Sequence, residues 1–355
     1  MNAVVHGGDI YRNRVRLDFS ANINPLGIPC RVKTAMRRAL HSCRNYPDPK
    51  EAALRRAVSS RLGIPETQVV FGNGASELFI AIVHALKPGK ILIPVPSFSG
   101  YEYAAQAVES RIVYYPLTKE NGFVQDEAFQ DVLTEDTDLL FLSNPNNPTG
   151  KQLCRERLEQ WLEICRRKNI FVVLDECFAE FCEKDESLLG VFQNYPNLLL
   201  VRAFTKIYAI PGVRLGYLVS CNEQLLEKIE KQLPEWNVSV FAQAAGTACM
   251  QQNGFVKKTV AYVSRERKFL TDQCKAKKLQ VYEGEANYIL LYCDWLPLYE
   301  ELLKRGILIR DCRSFRGLGQ GYYRIAVRTR KENKKFLKVL GECIDEFGTF
   351  VAGGN

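Results

Sequence analysis

Short apolar runs alternate with helical patterns between about residues 69 and 219. Runs such as 139–142, 171–174 and 198–201 contain apolar residues only. Unbroken runs of this length are typical of strands that are buried on both faces, as in a parallel sheet. Their alternation with helical patterns predicts an α/β fold, in which helices cover both faces of a mostly parallel sheet.

Further patterns precede and follow this region. Helices are predicted at 31–42, at 51–62, after Glu223, and in one long stretch over 240–277. The remaining chain predicts strands over 287–292, 307–310 and 322–327, and helices over 295–305 and 331–347. We therefore predict a large domain over 46–249, and a small domain that combines 250–355 with an amino-terminal arm in 1–45. The substrate would bind in the cleft between them.

Polar residues that follow the apolar runs are candidates for chemistry. Lys206 comes just after the run 198–201 and before a Pro-Gly turn. Burial penalises a lysine's charge, so a lysine in this apolar setting is better explained as a Schiff-base former than as a spectator. Eight residues on, Arg214 could hold a phosphate group near that amine. The pair suggests pyridoxal phosphate, although two ordinary surface cations would also fit.

Two other runs end in polar residues. Asp175 follows 171–174 at the predicted carboxyl end of a parallel strand, where open α/β sheets bind ligands. A carboxylate there could keep a pyridinium nitrogen protonated, or it could simply cap a helix. Asn147 lies in the turn after 139–142, and its amide could donate to the ring oxygen of the cofactor. Its alternative role is that of an ordinary turn residue.

A glycine turn precedes the helical pattern over 76–86. Gly74, Ala75 and Ser76 stand at its start, where backbone N–H groups and a serine hydroxyl can form a phosphate cradle. Such a turn is weak evidence when taken alone. In chain order, however, the cradle, Asn147, Asp175, Lys206 and Arg214 form a complete set of contacts for pyridoxal phosphate.

On these residues, the chain resembles the fold-type-I pyridoxal-phosphate enzymes of the aminotransferase class I/II group over essentially its whole length. Within that group it is similar to histidinol-phosphate aminotransferases and to the threonine-phosphate decarboxylases of cobalamin synthesis. The amino-terminal His6-Gly7-Gly8 and the segment 17–27 resemble the decarboxylases more. So do the segment 208–212 and the late Tyr322-Tyr323-Arg324.

The resemblance implies further cofactor contacts. Phe98 would stack on the cofactor ring, a role that needs only a flat apolar face. Thr205 would lie beside the cofactor next to Lys206. Tyr46 would reach the cofactor phosphate of a neighbouring subunit, which implies a homodimer with shared active sites. Phe98 could otherwise be a core aromatic residue.

The resemblance also implies a set of substrate contacts. Arg324 would clamp the substrate carboxylate, a bidentate task that suits a planar guanidinium. Arg310 and His6 would bind a phosphate group of the substrate, and Asn22 would be a further substrate ligand. Without these roles, the charged side chains among them would be solvated surface groups.

Two positions differ from the common aminotransferase pattern. Phe178 stands where a tyrosine usually donates to the ring oxygen, and the decarboxylases share this lack of a hydroxyl. Ala203 stands where a serine or threonine usually binds the cofactor phosphate. Losing a hydrogen bond to a charged group costs about 1.5–3 kcal/mol, which would lower the affinity for the cofactor somewhat.

The reaction expected from the resemblance is decarboxylation of O-phospho-L-threonine to (R)-1-aminopropan-2-yl phosphate in cobalamin or cobamide biosynthesis. O-phospho-L-serine stays possible, because one methyl group is worth only about 1–3 kcal/mol in a pocket. One alternative is transamination of histidinol phosphate. Another, from a different class, is a non-catalytic homologue that binds the cofactor.

Composition limits the classes of partner and the cellular compartment that we expect. The net charge is +8, but the cations are dispersed or paired with acids, as in 265–268, so nucleic acid is not expected as a partner. The 12 cysteines include no Cys-x-x-Cys, and the three histidines lie far apart, so we expect free thiols and no metal site. No segment resembles a signal peptide or a membrane span. These features favour a cytoplasmic enzyme that acts on a small molecule.

Overall fold

The computed structural model describes residues 7–352, with side chains described for 7–347. The first six strands in chain order are β1 (Leu17–Asp18), β2 (Val69–Gly72), β3 (Lys90–Val95), β4 (Arg111–Pro116), β5 (Leu139–Ser143) and β6 (Phe171–Asp175). The later strands are β7 (Leu198–Ala203), β8 (Gly216–Val219), β9 (Gln280–Tyr282), β10 (Tyr288–Tyr292), β11 (Ile307–Leu308), β12 (Arg310–Asp311) and β13 (Tyr322–Ala326).

The α-helices lie mainly between and after the strands. Those of the first half are α1 (Cys30–Ala39), α2 (Ala52–Leu62), α3 (Ala75–Leu86), α4 (Gly100–Gln106) and α5 (Arg155–Arg167). Those of the second half are α6 (Phe204–Ile207), α7 (Glu223–Glu230), α8 (Val240–Met250), α9 (Phe255–Ala276), α10 (Leu298–Lys304) and α11 (Arg330–Ala352).

The central sheet has seven strands in the order β2-β8-β7-β6-β5-β3-β4. Only β8 runs against its neighbours, so the carboxyl ends of β2, β3, β5, β6 and β7 lie at one edge. The apolar runs are buried on both faces: Leu139 and Phe141 face one core cluster, whereas Leu140 and Leu142 face another. The predicted α/β fold with a mostly parallel central sheet is therefore confirmed.

A second, antiparallel sheet has the order β12-β13-β10-β9, and we call it the small sheet. The prediction of one strand over 307–310 is wrong, because this segment divides between two sheets. β11 pairs in parallel with β1, whereas β12 pairs with β13 of the small sheet. In that pairing Arg310 lies directly opposite Arg324. The division into domains at residues 46 and 250 stays a prediction.

The single long helix predicted over 240–277 is also wrong. α8 ends at Met250 and α9 begins at Phe255, with a turn between them. Gly254, just before α9, has a φ of 75°, a left-handed conformation that glycine adopts without a steric penalty. The sequence Asn253-Gly254 is a turn signal that the helical periodicity on either side obscured.

Two features of the described residues concern membrane spans and metal sites. No helix within residues 7–352 is both long and apolar enough to cross a membrane. The same part of the chain holds no group of three His, Cys, Asp or Glu side chains that could bind a metal ion.

Candidate active site

A cavity of about 540 Å³ opens at the edge of the central sheet where β5, β6 and β7 end. Their last residues, Ser143, Asp175 and Ala203, line it, and Arg310 and Arg324 of the small sheet line it from another side. The predicted site residues that line this cavity are Asn22, Ala75, Ser76, Phe98, Asn147, Asp175, Thr205, Lys206, Arg214, Arg310 and Arg324. Parallel strands bring these positions together because their carboxyl ends share one edge.

Lys206 lies in the short helix α6, directly after β7. Its Nζ is 3.3 Å from the Thr205 hydroxyl oxygen. Burial lowers the pKa of this amine, and the nearby cations Arg214 and Arg324 lower it further. A lowered pKa increases the share of neutral amine, which is the nucleophilic form.

Asp175 ends β6, and both of its carboxylate oxygens accept hydrogen bonds. The Tyr101 hydroxyl donates to Oδ2 at 2.6 Å, and the Cys177 backbone N–H donates to Oδ1 at 2.9 Å. Burial raises the pKa of this carboxyl, although both donors and the charge of Lys206 act against the rise. A carboxylate in such a position is suited to a cationic partner in the cavity.

The start of α3 and Arg214 form a compact cationic corner. Gly74 precedes α3 and has a φ of 87°. A Cβ at this position would lie 2.2 Å from Arg214 Nη2, so only glycine lets the guanidinium come so close. Arg214 also donates from Nη1 to the Pro211 carbonyl oxygen at 3.1 Å. Together with the backbone N–H groups of Ala75 and Ser76 at the start of α3, this corner suits a phosphate group.

Arg310 and Arg324 are both buried, with 5% and 6% of their surfaces exposed. Their hydrogen bonds go to neutral oxygens: Arg310 Nη2 donates to Ser314 Oγ at 3.0 Å, and Arg324 donates to the Asn147 side-chain oxygen and to the Ser20 carbonyl oxygen. Arg324 Nε has no partner among the described residues. Burial lowers the pKa of Arg324 to about 10, which leaves it cationic at neutral pH.

The remaining polar candidate in the cavity wall is Asn22. Its side chain is 4% exposed, and within the described part of the chain its Oδ1 lacks a hydrogen-bond partner. A buried acceptor without a partner costs free energy, so a donor from a bound molecule would stabilise it.

The two unusual positions also line the cavity. Phe178 packs edge-on against Tyr288, with 5.1 Å between the ring centres, and offers no hydroxyl. Ala203 at the end of β7 is 4% exposed and offers none either. Neither residue can therefore donate to a ring oxygen, and Asn147, which lines the same cavity, stays the predicted donor.

Two of the predicted residues lie elsewhere in the described structure. Gly74 does not line the cavity but lies against the Arg214 guanidinium. Tyr46 is 80% exposed and stacks on Trp236, with 4.8 Å between the ring centres, away from the cavity of its own chain. His6 lies outside the described residues, so its predicted role stays a prediction.

Several cavity residues were not predicted from the sequence. Asp18, Ser20, Tyr101, Cys177 and Phe315 all line the wall. Tyr101 gave one local signal, because it follows Phe98 by three residues, and helical geometry places such residues on one face. For the others, no chemical signal was present in the sequence beyond their nearness to predicted residues.

The sequence profile of the family described as aminotransferase class I and II matches residues 15–340. The chain belongs to this family. It is 35% identical over 327 residues to the threonine-phosphate decarboxylase of Salmonella typhimurium, covering 91% of this chain and 90% of that protein. The predicted fold-type-I architecture is thereby confirmed.

Solved structures agree with this membership. The histidinol-phosphate aminotransferase of Clostridium acetobutylicum superposes with a TM-score of 0.87 at 31% identity, over 93% of this chain and 99% of that one. The L-threonine-O-3-phosphate decarboxylase of Porphyromonas gingivalis superposes with a TM-score of 0.82 at 25% identity, over the same shares. The chain is thus similar to members with two different reactions.

The cofactor of the protein is pyridoxal phosphate. The cavity fits this group by its chemistry. A lysine with a lowered pKa can bind the aldehyde, a buried carboxylate can face the ring nitrogen, and the corner of Gly74 and Arg214 leaves room for a phosphate. These three features surround one cavity.

Proposed function

We propose that the protein is a pyridoxal-phosphate-dependent decarboxylase of O-phospho-L-threonine, and that it forms (R)-1-aminopropan-2-yl phosphate for cobalamin or cobamide biosynthesis. The names of the similar decarboxylases from Salmonella typhimurium and Porphyromonas gingivalis support the choice of reaction. The family resemblance at Phe178 supports it too, because it implies that the decarboxylases lack a hydroxyl there.

The observation that carries the proposed substrate class is the pair of buried arginines opposite Lys206. Arg310 and Arg324 form no ion pair among the described side chains, and their hydrogen bonds go to neutral groups. Burying two guanidiniums without a direct ion pair is costly, even though Asp311 and Asp18 act on them at longer range, so the cavity suits a molecule with two anionic groups. A phosphorylated amino acid supplies a carboxylate for Arg324 and a phosphate for Arg310.

We assign the cofactor contacts as follows. Asp175 faces the ring nitrogen, Asn147 donates to the ring oxygen, and Phe98 stacks on the ring. The residues that hold the cofactor phosphate are Gly74, Ala75, Ser76, Thr205 and Arg214, with Tyr46 of a second copy of the chain in a homodimer. The substrate ligands are Asn22, Arg310 and Arg324, together with His6.

The chain's own residues then carry the reaction. When bound, pyridoxal phosphate supplies a protonated ring that takes up the electron pair of the bond that breaks. Arg324 orients the amino acid, and Arg310 holds its distal phosphate. The bond from Cα to the carboxylate breaks, carbon dioxide leaves, and Lys206 Nζ delivers the proton that replaces it on Cα. The lowered pKa of Lys206 suits an amine that gives up and takes back a proton during the reaction.

Histidinol-phosphate transamination is the second candidate. The similarity to the Clostridium acetobutylicum enzyme supports it, and Arg310 could equally hold the phosphate of that substrate. The two reactions differ in what they require, since transamination needs a 2-oxo acid acceptor and decarboxylation does not.

The deciding experiment is incubation of the purified protein, loaded with cofactor, with O-phospho-L-threonine alone. We expect carbon dioxide and aminopropanol phosphate in equal amounts without any 2-oxo acid. Histidinol phosphate with 2-oxoglutarate should give little glutamate. Rapid glutamate formation with no carbon dioxide would overturn the decarboxylase assignment.

The Arg310→Ala variant tests the phosphate anchor. Removing one partner of a buried charge pair costs about 2–5 kcal/mol, so O-phospho-L-threonine should bind far more weakly while the cofactor affinity stays unchanged. Arg313→Ala is the matched control, because Arg313 is exposed and pairs with Asp311 and Glu300. If Arg310→Ala bound the substrate as the parent does, Arg310 would not be the anchor.

A further inference from the structure

Asp175 is held by a tyrosine that family resemblance did not point to. The Tyr101 hydroxyl donates to Asp175 Oδ2 at 2.6 Å, a short bond for a donor and a charged acceptor. The backbone N–H of Cys177 holds the other oxygen, Oδ1, at 2.9 Å. These two donors, from α4 and from the turn after β6, fix both ends of the carboxylate.

Packing prevents Tyr101 from turning its hydroxyl away. The side chain is 1% exposed. Its ring stacks on Phe141, with the centres 5.0 Å apart and an angle of 12° between the planes, and it meets Phe79 and Phe98 edge-on. A tyrosine ring has few rotatable bonds, so contacts on several sides leave it one orientation.

The electrostatic environment of Tyr101 also favours its protonated form, which donates the hydrogen bond to Asp175. Burial raises its pKa well above the ordinary tyrosine value, and the charge of Asp175 raises it further. The phenol therefore keeps its proton at neutral pH. Burial raises the pKa of Asp175 as well, and the Tyr101 bond is one of the interactions that oppose this rise.

We propose that Tyr101 is a positioning residue for Asp175, whose carboxylate it aims at the cofactor's pyridine nitrogen and keeps ionised. The proposal rests on the role proposed above for Asp175. Phe98, assigned to stack on the ring, contacts Tyr101 directly. The start of α4 would thus set both the plane of the ring and the carboxylate that faces its nitrogen.

The test is the Tyr101→Phe variant, which keeps the ring and removes only the hydroxyl. We expect its dissociation constant for pyridoxal phosphate to rise about tenfold at neutral pH, the size typical for loss of one charge-assisted hydrogen bond. Tyr208→Phe is the control, since Tyr208 is also buried but does not line the cavity. Its dissociation constant should equal that of the parent.

The pH dependence of cofactor affinity separates positioning from a merely structural role. Without the Tyr101 donor, the pKa of Asp175 rises further, so acidification protonates the carboxylate at a higher pH. Cofactor release on acidification should therefore begin at a higher pH in Tyr101→Phe than in the parent. The other titratable groups that interact with Asp175 are Cys177, Lys206 and Tyr288, and the substitution leaves all three in place.

Asp175→Asn distinguishes the failure of this proposal from the failure of the site assignment. Asp175→Asn should weaken cofactor binding and remove the release of cofactor on acidification. If it does so but Tyr101→Phe matches the parent, Tyr101 does not position Asp175. If neither variant changes cofactor affinity or its pH dependence, the role given to Asp175 itself is wrong. An unchanged thermal midpoint in Tyr101→Phe would show that the fold is intact.

Discussion

At the scale of single residues, the site needs a residue without a side chain next to Arg214. Gly74 has no side chain, and the Arg214 guanidinium occupies the space that a Cβ would need. A side chain there would also be strained by the φ of 87°. We therefore interpret this glycine as a condition for the proposed phosphate-binding corner.

The Gly74→Ala substitution tests this interpretation. The added methyl group should displace Arg214, and losing its hydrogen bond to the phosphate would cost about 1.5–3 kcal/mol of cofactor binding free energy. Equilibrium dialysis against pyridoxal phosphate measures the change. Gly190→Ala is the control, because a Cβ at Gly190 meets no atom within 4 Å. Equal affinities for the two variants would contradict the proposed corner.

At the scale of elements, α4 connects the cofactor side of the cavity with the loop after β12. Tyr101 points to Asp175, and the next residue, Glu102, forms an ion pair with Arg316 at 2.7 Å. The Arg316 guanidinium also lies 4.2 Å from the ring centre of Tyr114 on β4. The loop that Arg316 belongs to carries Ser314 and Phe315, which contact Arg310.

We predict that Glu102→Gln weakens binding of O-phospho-L-threonine and leaves cofactor affinity unchanged. The side chains of Arg316 and Glu102 are 51% and 26% exposed, and exposed pairs contribute about 0–1 kcal/mol. A rise in KM of a few-fold is therefore expected, and it should shrink as salt screens the pair. Glu227→Gln, which breaks the exposed pair with Lys231, is the control. Identical KM values for both variants would show that the loop holds its place without Glu102.

At the scale of the whole molecule, the proposed homodimer explains an exposed aromatic pair. Tyr46 and Trp236 are 80% and 43% exposed, yet their rings stack on each other. Tyr46 does not line the cavity of its own chain, so its proposed contact with the cofactor phosphate requires a second copy. In a symmetric dimer each site would then need residues from both chains.

Mixing two variants, one without Lys206 and one with weakened cofactor binding, tests this arrangement. A mixed dimer of Lys206→Ala and Tyr46→Ala chains would contain one site with a wild-type Lys206 from one chain and a wild-type Tyr46 from the other. Random re-association should then restore about a quarter of the parent's sites, counted by tight cofactor binding and by turnover. If Tyr46 served its own chain, mixing would restore none. Each variant re-associated with itself is the control.

The sequence alone was enough to predict the layered α/β fold and several of the positions that surround the cavity. Both follow from local rules: unbroken apolar runs form buried parallel strands, and polar residues after those runs gather at one edge. Asp175, Asn147 and Lys206 could be placed in this way without knowing the strand order. Their roles were inferred from the chemistry of their side chains and stay predictions.

Contacts between distant segments of the chain could be read only from the tertiary structure. The strand predicted over 307–310 divides because β11 pairs with β1 and β12 pairs with β13. That pairing sets Arg310 opposite Arg324, and the fold brings Tyr101 to Asp175 across 74 positions of the chain. Periodicity describes a residue's near neighbours, whereas these contacts depend on register and packing between elements that are far apart in sequence.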